Sequence, residues 1–194
     1  MPEAISIIRD EHRSIAAVLH GLLHLVDAIE AGTMEPDFEL LGAMMNYIEA
    51  FPERLHHPKE DSHLFRTLRQ RDPETVALLD ELETEHIKGR GLLVELAAAL
   101  AHFRELGHPA LEPFARALRS YASFHWDHMR KEEDLVLPRA ATILSADDWK
   151  AIDDAFRSNS DPLVGVEARQ EFRDLFRRIV HLAPSPLGVG RART

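Results

Sequence analysis

The amino-acid sequence predicts an all-α fold: an up-down-up-down four-helix bundle with two additional C-terminal helices. Three observations carry this expectation. Apolar residues recur every three or four positions over four long segments, with no alternation of the kind a half-buried strand shows. Helix start and stop signals fall between those segments. The chain has 194 residues, 45% of them hydrophobic, which suffices for one domain with a sizeable core.

The first helix is expected over residues 5–30, with Ile8, His12, Ile15, Leu19, Leu22 and Val26 on one stripe and Gly32 as a stop signal. The second starts near Pro36-Asp37, carries Leu41, Met44, Ile48 and Phe51, and continues to about Arg69. Pro52 and Pro58 fall inside it and predict a kink or a break. Asp72-Pro73 is a start signal for the third, an N-cap followed by proline at the first helical position. That helix carries Leu79, Leu82, His86, Leu93, Leu96 and Leu100 and ends at Gly107. The fourth begins near residues 109–113, carries Phe114, Leu118, Tyr121, His125, His128, Glu132 and Leu135, and is interrupted by Pro138. Ser145 caps a short fifth helix to about Arg157, residues 159–162 form a linker, and residues 166–181 form a sixth helix. The expected organisation is a bundle over residues 1–144, a helical extension over 145–182 and a disordered tail over 183–194.

The formal net charge of −10 argues against nucleic acid, which needs a basic face, and against anionic membrane surfaces. The absence of cysteine excludes disulfides, thiolate metal sites, iron–sulfur clusters and a cysteine nucleophile. The N-terminal residues carry no signal-peptide pattern, and the longest apolar run, residues 96–101, is far too short to span a bilayer. A cytoplasmic location is therefore expected.

Twelve histidines are the residues left for borderline metals. The stretch HHPKEDSH, residues 56–63, places three of them beside carboxylates. His56 and Glu60 are four residues apart and share a helix face, as do His128 and Glu132. His12 and His86 each lie within an apolar stripe. A lone histidine in such a stripe is ordinarily a satisfied core residue, and a single His-x-x-x-Glu is common on solvated helices. Four inward histidines with two inward carboxylates, left unpaired, would cost on the order of several kcal/mol in desolvation. A metal offsets that cost.

The donor set narrows the metal. The ligands are too many for one tetrahedral zinc, and no His-Glu-x-x-His motif occurs. Oxygen-only calcium and magnesium sites do not use imidazole. Ferritin-like bundles are rich in carboxylate, whereas this chain has the reverse balance. Two bridging carboxylates with terminal histidines suit two iron ions, with an oxo or hydroxo bridge supplying further negative charge. His125, three residues before His128 on the same stripe, is included as a ligand, although the spacing also permits a site without it. His57 lies about 100° round the helix from His56, so both reach one site only if Pro58 distorts the turn. His63 falls on the ligand face one turn past Glu60 and reads as an outer or exposed residue, as Glu133, Asp61 and Asp127 do. Tyr121 reads as core, or as a hydroxyl that meets a bound ligand. His20, His24, His102, His108 and His181 read as surface or boundary residues.

The order of the four helices, with "EHR" on the first, "HHPKE" on the second, "EH" on the third and "HMRKEE" on the fourth, resembles the hemerythrin-like, or HHE cation-binding, family over residues 5–144. The resemblance implies a non-haem di-iron site bridged by two glutamates, with ligands at His12, His56, Glu60, His86, His128 and Glu132. It implies dioxygen binding, a response to nitric oxide or oxidants, iron handling or peroxidase-like activity. Oxygen-carrying members place a second histidine one turn further along the third helix, where this chain has Arg90. The leading expectation is a module that binds or senses a diatomic ligand, dioxygen or nitric oxide, rather than an enzyme. The alternatives are an enzyme that reduces peroxide or nitric oxide or supplies iron for repair, and an iron-handling or structural bundle. The sixth helix, with Phe172, Leu175, Phe176 and Ile179 among Arg169, Arg173 and Arg177, is a candidate bundle cap, homodimer contact or partner-docking face.

Overall fold

The structure is a computed structural model and describes residues 2–158. The expected linker, sixth helix and tail lie outside the described residues. Among the described residues the chain is all helical, without a strand. Helix α1 is Glu3–Glu30, α2 covers residues 38–71, α3 is Val76–Leu106, α4 covers residues 111–143 and α5 is Ala146–Arg157. The signals read from sequence act as expected. Gly32 and Gly107 take positive φ values of 67° and 70°, the left-handed region that suits glycine after a helix. Asp72 caps a short 3₁₀ turn, Pro73–Thr75, that leads into α3, its side chain accepting from the Glu74 N–H at 3.3 Å.

The prolines of α2 bend the hydrogen-bond pattern without ending the helix. Phe38–Ile48 is α-helical, Glu49–His56 is π-helical, His57–Lys59 is a single α turn, Glu60–Phe65 is π-helical again and Arg66–Arg71 is α-helical. Proline lacks an N–H, so a wider i→i+5 pattern keeps the backbone helical where an i→i+4 bond is lost. Helix α4 repeats the device: Leu111–Lys131 is α-helical, Glu132–Val136 is π-helical, and Pro138 lies in the first turn of Leu137–Ile143. The π turn has a visible effect on burial. Leu135, expected on the buried stripe, is 52% exposed, and Val136 is buried in its place.

Helices α1, α2, α3 and α4 pack side by side, each against the next and α4 against α1. Their apolar stripes form two separate clusters. One holds Ile15 to Ile29 of α1 with Leu40 to Phe51, Leu93 to Phe103 and Leu111 to Ala122. The other holds Ala4, Ile5 and Ile8 with Leu64, Phe65, Leu68, Leu79, Leu82, Val136, Leu137 and Ala140. Between them, at matching heights on all four helices, lies a buried polar layer. Helix α5 closes the second cluster with Trp149, Ile152 and Phe156, spaced three and four apart. Its C-terminal half is tied in by two contacts. The Asp153 carboxylate accepts from the orphan N–H of Ala4 at 2.7 Å, and the Lys59 ammonium donates to the Ala155 carbonyl at 3.0 Å.

No described helix is long and apolar enough to cross a membrane.

Candidate metal centre

The polar layer brings together His12 of α1, His56, His57 and Glu60 of α2, His86 of α3, and His128 and Glu132 of α4, all of them buried. They form two groups, His12–His56–Glu60–Glu132 and His57–His86–His128, and within each group the ligand atoms lie within 4.8 Å of one another.

The two carboxylates face both groups. Glu60 Oε1 is 3.4 Å from His56 Nε2 and 3.8 Å from His12 Nε2, while its Oε2 is 3.7 Å from His86 Nε2. Glu132 Oε2 is 3.3 Å from His12 Nε2, while its Oε1 is 3.2 Å from His128 Nε2 and 3.7 Å from His86 Nε2. Each carboxylate thus divides its oxygens between two histidine sets. That is the arrangement of a donor shared by two adjacent cations.

Outside this layer, a second ring of carboxylates orients the imidazoles. Nδ1 of His12 donates to Glu133 at 2.9 Å, that of His56 to Glu11 at 2.7 Å, that of His86 to Asp61 at 2.7 Å and that of His128 to Glu85 at 3.0 Å. Each bond joins two different helices, and each outer carboxylate is the sequence neighbour of an inner donor. The pairs run α1 to α4, α4 to α3, α3 to α2 and α2 to α1, so the ring closes. A donated Nδ1–H fixes the tautomer and leaves Nε2 as the inward lone pair, the form a metal requires.

The Nε2 atoms of His12 and His56 lie 3.1 Å apart and share one hydrogen bond, and the other inner atoms fit cations because nothing else satisfies them. Both oxygens of Glu60, both oxygens of Glu132, and Nε2 of His86 and His128 are buried without a hydrogen-bond partner. Buried polar atoms are almost always paired, so a cluster of orphans that are all good ligands marks a site. The electrostatics agree. Burial and the neighbouring Glu132 push Glu60 well above the usual carboxylate range. Burial alone would raise Glu132, but the charge of His128 and the close imidazoles of His12, His128 and His86 hold it well below that range. Burial would lower His128, yet Glu132 and Glu85 carry it up to about 10.

Two placements differ from the sequence reading. His125 is buried but stands outside both groups, with Nε2 3.9 Å from Glu53 Oε1. At ~1.5 Å rise per residue it lies one turn up the axis from His128, beyond the layer. His57, which the helix angle admits to the site only if Pro58 distorts the turn, stands inside the second group. The π turns on either side of residues 57–59 change that angle, so adjacent histidines both face inward. Pro52 and Pro58 were the available signal. Among the outer residues, Glu133 and Asp61 do orient inner histidines, whereas Asp127 pairs with Arg130, 2.8 Å away on the surface. Glu11 and Glu85 were missed; their signal is the Glu-His dipeptide at 11–12 and at 85–86. His63 is half-buried and belongs to neither group, Arg90 is exposed, and His20, His24, His102 and His108 lie at the surface or its boundary. Tyr121 is buried and donates to Glu53 Oε1 at 3.4 Å. Burial raises Glu53 to about 7 against the pull of Arg90, and burial with the nearby imidazolium charges lowers His125 to about 3.

The fold and this layer define a class, a helical bundle whose centre is built to hold cations. Residues 3–140 match the family described as Hemerythrin HHE cation binding domain. The chain belongs to that family. It is also 24% identical over 127 residues to three curated relatives, each described as an uncharacterized protein, one from Mycobacterium bovis and two from strains of Mycobacterium tuberculosis. The matched region covers 66% of this chain and 49% of each relative, so the chain spans about half the length of the curated relatives it matches.

Proposed function

We propose that residues 1–144 form an up-down-up-down four-helix bundle of hemerythrin type that holds two non-haem iron ions and binds or senses a small diatomic ligand, dioxygen or nitric oxide. The observation that carries this reading is the division of both inner carboxylates between two histidine sets. In this reading Glu60 and Glu132 bridge, His12 and His56 hold one ion, and His57, His86 and His128 hold the other. His57 takes the place assigned from sequence to His125. The imidazole-rich, thiolate-free donor set suits iron. The metal pair, when bound, supplies reversible redox chemistry and coordination positions for an added ligand.

The chain's own residues supply the rest. Glu133, Glu11, Asp61 and Glu85 orient the imidazoles and stabilise their donor form. The two apolar clusters exclude water from either side of the layer. A second reading, a di-iron enzyme that reduces peroxide, is favoured by one observation, the buried polar cluster of Glu53, Tyr121 and His125 beside the second histidine group.

The test is a metal count on protein expressed with ample iron, followed by visible spectra without air, with air and with nitric oxide. About two irons per chain and a spectrum that shifts reversibly with the gas are expected from a carboxylate-bridged pair. A single zinc, or no metal, overturns the reading.

A further inference from the structure

The outward face of α3, opposite the buried stripe of Leu82, His86, Leu93 and Leu96, is apolar where a solvated face is ordinarily polar. Ile87 and Val94 are 64% and 70% exposed. They share one line with Thr84, Gly91, Ala98 and Ala101, all exposed, at alternating steps of three and four residues. That alternation, kept from residue 84 to residue 101, is the repeat by which one helix presents a seam to another. Nothing lies within 4 Å of a Cβ placed at Gly91, so the seam has an open notch at its middle.

The seam is complementary to itself. When two copies are set antiparallel about the midpoint between Gly91 and Val94, Val94 of one faces Gly91 of the other, Ile87 faces Ala98 and Thr84 faces Ala101. Every layer then joins a larger residue to a small one, and the two helices keep one close separation along the whole seam. A parallel arrangement sets Ile87 on Ile87 and Gly91 on Gly91. The first layer would hold the helices apart and the second would leave a void.

The flanking charges select the same arrangement. Lys88 and Glu95 border the seam on one side, Glu83 and Arg104 on the other. In the antiparallel register Lys88 of each copy comes beside Glu95 of the other, and Glu83 beside Arg104, each pair within about 3 Å along the axis at a rise of ~1.5 Å per residue. Glu95 and Arg104 are exposed. Glu83 already holds Arg69 at 2.9 Å, and the Lys88 ammonium lies 5.1 Å from the centre of the Phe124 ring. Sliding the pair by one heptad in either direction brings Lys88 beside Lys88 or Glu95 beside Glu95. Size and charge thus agree on one register, and two-fold symmetry makes each favourable pair occur twice.

We propose that this face of α3 is the surface through which two copies of the chain associate as an antiparallel, two-fold symmetric pair. The polar layer lies on the other side of the helix, so the contact requires no cation there.

Sedimentation of the full-length protein over a micromolar-to-millimolar concentration series tests it. The wild-type chain is expected to pass from monomer to dimer within that range, as small interfaces do. Val94→Glu should keep the helical circular dichroism and weaken association by about tenfold or more. The charges report the orientation. Lys88→Glu and Glu95→Lys should each weaken association by about tenfold. The double variant should restore it, and so should an equal mixture of the two single variants, because the antiparallel register places those two positions together. A wild-type chain that stays monomeric throughout overturns the proposal. A dimer that survives Val94→Glu rests on another surface and overturns it too. Loss of association in both single variants that neither the double variant nor the mixture repairs overturns the antiparallel pair.

Discussion

His12 is held at both ring nitrogens by consecutive residues of one helix: Glu133 Oε1 lies 2.9 Å from Nδ1, and Glu132 Oε2 lies 3.3 Å from Nε2. The two glutamates therefore have different jobs in the proposed metal site, one orienting the imidazole and the other sharing its cation. Glu133→Gln is expected to lower iron affinity by about 10- to 100-fold, the usual effect of removing an outer partner of a metal-bound histidine. Glu132→Gln should lower it further. Asp127→Asn, whose carboxylate pairs with the surface Arg130, should change nothing. Chelator competition measures all three, and equal affinities for the Glu133 and Asp127 variants would remove the outer ring from the account.

His57 and His125 separate in the same assay. His57→Ala should empty the subsite it shares with His86 and His128, whereas His125→Ala should retain its iron. Metal content of the two purified variants decides between them. The reverse outcome would restore the ligand assignment that the sequence alone suggested.

Iron uptake is expected to release protons and to weaken as pH falls. In metal-free protein the raised pKa of His128, about 10, keeps that imidazole protonated at neutral pH, and burial beside Glu132 raises Glu60 well above the usual carboxylate range. A cation must expel those protons to reach the same atoms. Affinity compared at pH 6 and pH 8, with proton release followed by an indicator dye, checks this. Affinity independent of pH would contradict it.

Two glycines of α3 should respond differently to alanine. Nothing lies within 4 Å of a Cβ at Gly91, so Gly91→Ala should stabilise the helix by about 1 kcal/mol. At Gly89 the new Cβ would sit 3.3 Å from His125 Nε2 and 3.4 Å from the Phe124 ring, so the same substitution should bring no gain and should displace His125. Urea denaturation of both variants reads the difference.

The sequence displayed the helices and most of the polar layer because both follow the regular 3.6-residue period. Stripes such as Ile8–His12–Ile15 and Leu82–His86 are buried as that period requires. Where the backbone leaves the period, spacing alone misleads. Leu135 falls on the buried stripe of a regular helix yet is exposed, and His57 faces inward under the condition its angle sets, a turn distorted at Pro58; both lie in or beside π turns. His125 was drawn inward by its angle on α4, which is right, while its height along the axis puts it one turn away. The outer carboxylates Glu11 and Glu85 depend on contacts between helices, which no spacing within one helix reveals.

The π turns of α2 also make chain length a structural variable. Each one holds a residue more than a regular α turn would, and each residue of an α-helix is worth about 100° of rotation. Deleting one residue between 49 and 55 would let that π turn close to a regular α turn, and both flanks would keep their register, Leu41, Met44 and Ile48 in the apolar cluster and His56 and Glu60 in the polar layer. Deleting one between 38 and 48, where the helix is already regular, would rotate everything upstream by about 100° and turn part of that face out of the core. The π turn works as slack in the chain, and the fold should tolerate the loss of a residue there far better than from the regular turns beside it.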